Sequence, residues 1–316
     1  RFPAFEPIPN YPVPRPGAGL VRMARAAPRD LVVSHTRFFL SSLAARTVSR
    51  RMDAPWLHIE HGSDFAQLGR GPSTLAARAY DKTLGRLVLR SADAVVGVSR
   101  AAAEFVSALS GRSASVLYRG VSADDLARIP ADGGLRGRLG AGRLVVYLGR
   151  LIEGKGVADL IEAFRLLPQE DSVLCVIGDG PSRAALERRA AGGRVAFLGE
   201  LPFEQAVGAV KAADVLVNPS YTEGLPTSVM EAALCGRAVI ATDVGGTSEV
   251  ISDGQSGLLV PPHDPDALAR ALRGLLEDAG LRRRLGELAQ AEVTERFDWD
   301  RSVDKFLAIA TTLRGG

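Results

Sequence analysis

The sequence predicts an α/β protein with two doubly wound parallel sheets, and three observations lead there. Short apolar runs alternate with helical stretches of ten or more residues, the signature of βαβ units. The 316 residues suffice for two domains of about 100–200 residues each. A stretch with GG, GR and GAG breaks at 122–143 separates two such alternations.

The first thirty residues are rich in Pro, lack any period and read as extended loop. LVVSH (31–35) then reads as a buried strand and FFLSSLAARTVSRR as a helix. WLHIEH (56–61) is a second strand, TLAARAYDKTLGRLVLRSA (74–92) one long helix, and AVVGVS (94–99) a third strand. AAAEFVSALS is a helix and SVLYRG (115–120) closes the first set. The second set opens with RLVVYLG (143–149) and continues through SVLCVIG (172–178), RVAFLG, DVLVNP, RAVIAT and GLLVPP, with a helix between most neighbours. Six strands in succession predict a doubly wound domain over 139–296, after a first domain and linker over 1–138. The last segment, 297–316, holds one more amphipathic helix.

Composition excludes several classes. Apolar stretches such as 144–148 are too short to span a bilayer. Gly 34 and Pro 18 argue against collagen and low complexity. Two cysteines, Cys175 and Cys235, cannot make a disulfide framework and read as reduced, cytoplasmic thiols. The net charge is +3, but residues 1–120 carry +9 and residues 121–316 carry −6. One reading is a first domain facing an anionic membrane or ligand. Coding composition is the other, since only residues 82, 155, 211 and 305 are Lys and Arg dominates.

In doubly wound sheets, ligands bind beyond the C-terminal strand ends. Gly149 to Lys155 matches the front of a P-loop, but Gly156 replaces the Ser or Thr that would hold Mg²⁺. What remains, Arg150 and Lys155 beside a helix N-terminus, suits a diphosphate, or is a solvated turn with two incidental cations. Gly178-Asp179-Gly180 is a partial dinucleotide fingerprint, equally a tight turn before Pro181. In NPSYTEGLPTSVMEAALCG, Glu223 stands in a loop and Glu231 about one turn into the next helix. Such carboxylates suit vicinal hydroxyls, and the amides of residues 225–228 suit an anion. Without a ligand the same pair is simply favoured by the helix dipole.

The run EGLPTSVMEAALCGRAVIATDVGGTSEV resembles the E-x7-E region of retaining family-4 glycosyltransferases of two-domain GT-B fold. The resemblance extends through GRLxxxKG, VIGDGP and VAFLG, four motifs in order over 139–296. It implies two Rossmann-like domains facing a cleft, with Arg150 and Lys155 on the donor diphosphate, Glu231 on the ribose and Glu223 on the transferred sugar. Backbone amides of Gly224, Leu225, Pro226 and Thr227 (Pro226 contributing only its carbonyl) would line sugar and phosphate, and Phe197 and Leu198 would edge the base. EHGSD (60–64) resembles the family's His-Gly segment, which implies His61 at the reaction centre; a strand-end His is otherwise structural. Arg119 stands where the family usually has Asn, so no role is carried over to it.

The resemblance further implies a UDP- or GDP-sugar donor, a hexose-type sugar, no cofactor, no metal and no nucleic acid. The enzyme would be cytoplasmic, peripheral at the inner face of the membrane if its acceptor is lipid-linked. Asp298-Trp299-Asp300 and His263-Asp264 read as capping and turn residues rather than metal ligands. A GT-B first domain has more than four strands, so roughly 60–90 residues, including a Gly-rich loop, are expected ahead of Arg1. A GT-B epimerase or phosphorylase, a P-loop NTPase and a sugar-nucleotide-binding protein without turnover stay open at this point.

Overall fold

The structure, a computed structural model, describes residues 4–8, 11–14, 30–65, 72–168 and 171–315. By contacts the chain divides into two units, Arg1–Gly120 with Asp300–Gly316, and Val121–Trp299.

In the first unit the stretch read as extended loop pairs with itself. β1 (Ala4–Ile8) and β2 (Tyr11–Pro14) form an antiparallel ribbon. Proline is excluded from central strands because it cannot donate to the ladder, but a two-stranded ribbon has only edges. A parallel sheet follows, β3 (Val32–His35), β4 (Trp56–Glu60), β5 (Ala94–Gly97) and β6 (Ser115–Val116), in that spatial order. Trp56, Val88, Leu89, Val95 and Val106 build its core. The long helix expected over 74–92 is continuous but not uniform: Pro72–Tyr80 runs through a π-helical turn at Asp81–Gly85 into Arg86–Ser91. Helix Arg100–Ser110 is capped by Ser99, whose Oγ accepts the Ala102 N–H at 3.0 Å. From Asp300 onward helix Trp299–Gly315 groups with this unit. Ser302 Oγ donates to the Tyr118 carbonyl at 2.6 Å and Arg314 pairs with Asp30 at 3.1 Å.

The second unit holds six parallel strands, β7 (Arg143–Leu148), β8 (Ser172–Ile177), β9 (Val195–Gly199), β10 (Val215–Asn218), β11 (Ala238–Thr242) and β12 (Leu258–Val260). Their order is β12-β11-β10-β7-β8-β9. The direction of winding reverses between β7 and β10, which pair through Val145↔Val215, and ligands of such sheets bind at that switch point. β8, β10 and β11 are buried on both faces, so they read as continuous apolar runs. Phe164, Leu160 and Ile161 pack under one face with Leu272 and Leu275.

The boundary expected at 138/139 falls instead at 120/121. The Gly-rich breaks mark turns around two short helices, Ala123–Arg128 and Leu135–Leu139, not a free linker. Lys211 Nζ donates to the carbonyls of Leu126 (2.6 Å) and Ile129 (2.5 Å), and Asp132 N–H donates to Gly208 O at 2.9 Å. Among the described residues no helix is long and apolar enough to cross a membrane.

Phe164 is fully buried in the larger core, so Phe164→Ala is expected to cost about 3–5 kcal/mol. Urea unfolding of the variant checks this; a loss below about 1 kcal/mol would contradict the packing.

Candidate functional site

The two loops at the switch point are built onto each other. β7 ends at Leu148 and its loop tightens into a 3₁₀ turn, Glu153–Lys155, before helix Val157–Arg165. β10 ends at Asn218, and its loop leads into helix Thr227–Leu234, which starts at Pro226 without a side-chain cap. The Tyr221 N–H donates to the Gly154 carbonyl at 2.9 Å. Gly156 has φ +63°, and a Cβ there would lie 1.9 Å from the Pro219 carbonyl oxygen. Only glycine satisfies both conditions.

That approach brings Lys155 and Glu223 together, with Nζ 2.6 Å from Oε1. The same oxygen accepts from Ser220 Oγ at 2.7 Å and from Asn218 Nδ2 at 3.3 Å. The Glu223 side chain is 10% exposed and that of Lys155 24%, so the pair is shielded but reachable. Arg150 is exposed beside it, and its carbonyl accepts from Tyr147 OH at 2.9 Å. Burial, followed by the Glu223 charge, pushes the Tyr147 hydroxyl well above its ordinary value, so it stays a donor. Gly224 and Thr227 are half-buried, Leu225 and Pro226 buried, and Glu231 half-buried one turn along the helix.

Neighbouring strand ends lock to the same loop. A Cβ on Gly178 would lie 2.0 Å from the Gly149 carbonyl oxygen, and one on Gly180 2.5 Å from that of Leu151. The paired glycines therefore serve loop-on-loop packing. The Gly178 N–H donates to Gly199 O at 2.8 Å, tying in β9, where Phe197 and Leu198 lie half-buried.

Sequence reasoning passed over Asn218, Ser220 and Tyr221. Their signal is the polar run directly after the buried β10. Tyr221 stacks on His263 with centroids 3.7 Å apart and donates to Asp159 Oδ2 at 2.9 Å. Asp264 caps the next helix through the Ala267 N–H at 2.8 Å. In the D-W-D run, the backbone of Asp298 bridges Val121.

His61 lies in the first unit, directly after β4. Beneath it Glu60 is fully buried and accepts the His61 and Gly62 amides on Oε1, at 3.0 and 2.9 Å. Its other oxygen accepts the Arg37 N–H at 3.0 Å. The Arg37 guanidinium is 3.1 Å from Glu60 and forks onto Asp81 through two bonds of 2.9 Å. It also donates to the Asp64 carbonyl at 2.8 Å, so one cation holds both ends of the H-G-S-D loop. Burial alone would raise the Glu60 carboxyl, but the His58 hydrogen bond and the Arg37 charge outweigh it and hold it down at about 2. His35 Nδ1 meets His61 Nε2 at 3.0 Å. Burial first, then each ring's His neighbours, lower both, so the pair is neutral near pH 7. The structure thus brings together Lys155, Glu223 and the start of the Glu231 helix, while His61 stands in the other unit.

Comparison with known proteins shows the family and the fold. The model of a family described as "Glycosyl transferases group 1" matches residues 142–278, and that of a "Glycosyl transferase 4-like domain" matches 2–120. An uncharacterized glycosyltransferase of Methanocaldococcus jannaschii, MJ1069, is 32% identical over 98% of this chain and 83% of its own. A D-inositol 3-phosphate glycosyltransferase of Xylanimonas cellulosilytica is 33% identical over 88% of this chain and 71% of its own. Among solved structures, Anabaena Alr3699/HepE in complex with UDP-glucose shares the fold. Its TM-score is 0.78 at 23% identity, over 93% of this chain and 82% of that one.

Two outcomes test the geometry. Gly156→Ala forces the two loops apart, and its melting temperature should fall; a variant that melts as wild type contradicts the close approach. Glu60 has a folded value of about 2 against an ordinary 4.5. Its contribution is therefore complete above about 4.5 and is lost as pH falls toward 2. Wild type should be more stable than Glu60→Gln at neutral pH, with the gap narrowing below pH 4.5 in thermal melts. A gap independent of pH would rule out a charged Glu60.

Proposed function

Since the chain belongs to the group 1, family-4 glycosyltransferases of GT-B fold, we propose that it transfers a hexose-type sugar from a UDP- or GDP-sugar to a phosphate-bearing acceptor, with retention at the anomeric carbon. The observation that supports this most is the Lys155–Glu223 pair, set across the switch point of a Rossmann-type sheet. A cation and a carboxylate in contact match the two halves of a nucleotide sugar, a diphosphate and a polyol.

In this reading Lys155 and Arg150 take the diphosphate, helped by the uncapped N-terminus of helix Thr227–Leu234. Glu223 receives hydroxyls of the transferred sugar, Gly224 to Thr227 line sugar and phosphate, and Glu231 holds the ribose. Phe197 and Leu198 edge the base through their backbone. As the sugar–oxygen bond breaks, charge develops on the leaving diphosphate, where the two cations and the helix dipole would stabilise it. They supply the stabilisation that a divalent metal supplies elsewhere, so the reaction needs no metal. His61, neutral and hydrogen-bonded to His35, acts on the sugar. Glu223, held on one oxygen by Lys155, Ser220 and Asn218, acts as a sugar-binding group and not as a base, as the family resemblance implies. The inositol phosphate in the name of one relative and the basic first unit support an anionic acceptor. The protein then works in the cytoplasm, peripherally at the membrane.

Glu231→Ala should weaken nucleotide binding by about 1.5–3 kcal/mol, the value of a hydrogen bond to a charged group. Calorimetry showing unchanged affinity would remove Glu231 from the ribose. Lys155→Ala and Arg150→Ala should each cut turnover at least tenfold, about 1.4 kcal/mol of barrier; near-wild-type rates would take them off the diphosphate.

A further inference from the structure

The helix over residues 72–91 of the first unit leaves Arg78, Lys82, Arg86 and Arg90 exposed, one cation every four residues. Its one carboxylate, Asp81, is buried on Arg37, so nothing along the helix neutralises the stripe. The spacing works because of the π-helical turn at Asp81–Gly85. In an α-helix four residues overshoot one turn by about 40°, whereas in the wider π turn they fall short of one. The two errors oppose, so the four cations drift less around the helix than they would in an unbroken α-helix.

The same stretch exposes Leu75 (69%), Leu84 (40%) and Leu87 (41%). Beside it lies a pocket of about 360 Å³ lined by Phe65, Lys82, Arg86, Phe105, Ala108 and Leu109. Its two rings meet edge to face at 5.3 Å. Phe65 ends the H-G-S-D-F run that begins at His61, so the pocket adjoins the loop held by Arg37. The neighbouring helix Arg100–Ser110 adds one exposed carboxylate, Glu104, and one further cation, Arg100.

We propose that this face is where the protein docks on an anionic phospholipid bilayer, with the cations on lipid phosphates and the leucines and the Phe65–Phe105 pocket at the acyl boundary. The proposal deepens the acceptor reading above by naming the surface and the lipid chemistry. A row of cations with no exposed acid on its own helix, two of them over the Phe65 ring at 5.9 Å, beside exposed leucines matches one environment that offers dense negative charge and hydrocarbon in adjacent layers. Arg and Lys stems lie along apolar surface while their heads reach the phosphates.

Flotation of the purified chain with phosphatidylglycerol-containing and pure phosphatidylcholine vesicles, at low and high salt, tests it. Wild type should bind the anionic vesicles, weakly or not at all the neutral ones, and release steeply with salt. Arg78→Gln, Lys82→Gln, Arg86→Gln and Arg90→Gln should each lower partitioning roughly fivefold. Leu84→Ser with Leu87→Ser should weaken binding without changing its salt slope. Lys155→Ala should bind vesicles as wild type does, and the charge variants should keep nucleoside diphosphate affinity, which separates this proposal from the donor reading. Equal binding to neutral vesicles, unchanged binding of the combined charge variant, or capture of soluble polyphosphate or an acidic protein with vesicles ignored would overturn it.

Discussion

The contact on which the candidate site depends is the ion pair between Lys155 and Glu223, 2.6 Å across the point where the sheet reverses its winding. Each partner comes from a different loop, so the pair forms only if both loops arrive in register. Gly156 permits this by lending its left-handed backbone and its missing Cβ to the Pro219 carbonyl. A half-buried pair of this kind contributes little net stability, because desolvation consumes most of its Coulomb energy. Its value is positional. Glu223 is held by three donors on one oxygen, and Lys155 is stored where a diphosphate would require it. In the proposed donor complex, Lys155 would exchange one anionic partner for another without crossing an uncompensated state.

The first unit solves a similar problem with a fully buried network. Glu60, Arg37 and Asp81 lie in the interior with 0–3% of their side chains exposed, and each charge is satisfied. Removing Arg37 would leave two buried carboxylates without their shared cation, at a cost of about 3–5 kcal/mol. The π-helical turn starts at Asp81, so one irregularity serves two surfaces. Asp81 lies inward on Arg37, while Lys82 and Arg86 on either end of the turn stay exposed.

Much of this is legible in the sequence, for physical reasons. Strands buried on both faces appear as unbroken apolar runs such as SVLCVI, so the six-strand order of elements could be read directly. Arg150, Lys155 and Glu223 were legible because strand-end loops are where such sheets bind ligands. That Lys155 touches Glu223 was not, since 68 residues separate them and no local pattern encodes the approach. The Arg37–Asp81 fork is hidden in the same way, 44 residues apart. The Pro-rich opening does not read as strand because prolines are depleted from strands, yet an antiparallel two-stranded ribbon tolerates them. The 121–138 segment failed for a different reason. Its glycines flank a short helix, and the residues that anchor the segment, Gly208, Lys211 and Asp214, lie about seventy or more residues on.

The central claim is that Lys155 is shared between Glu223 and the donor's diphosphate. Calorimetry on Glu223→Gln tests it most directly, comparing a bare nucleoside diphosphate with its sugar derivative. Removing the carboxylate charge frees Lys155. Affinity for the bare diphosphate should therefore hold or rise, while the increment contributed by the sugar falls. A variant in which both affinities fall together, or in which the sugar increment survives intact, would contradict the account.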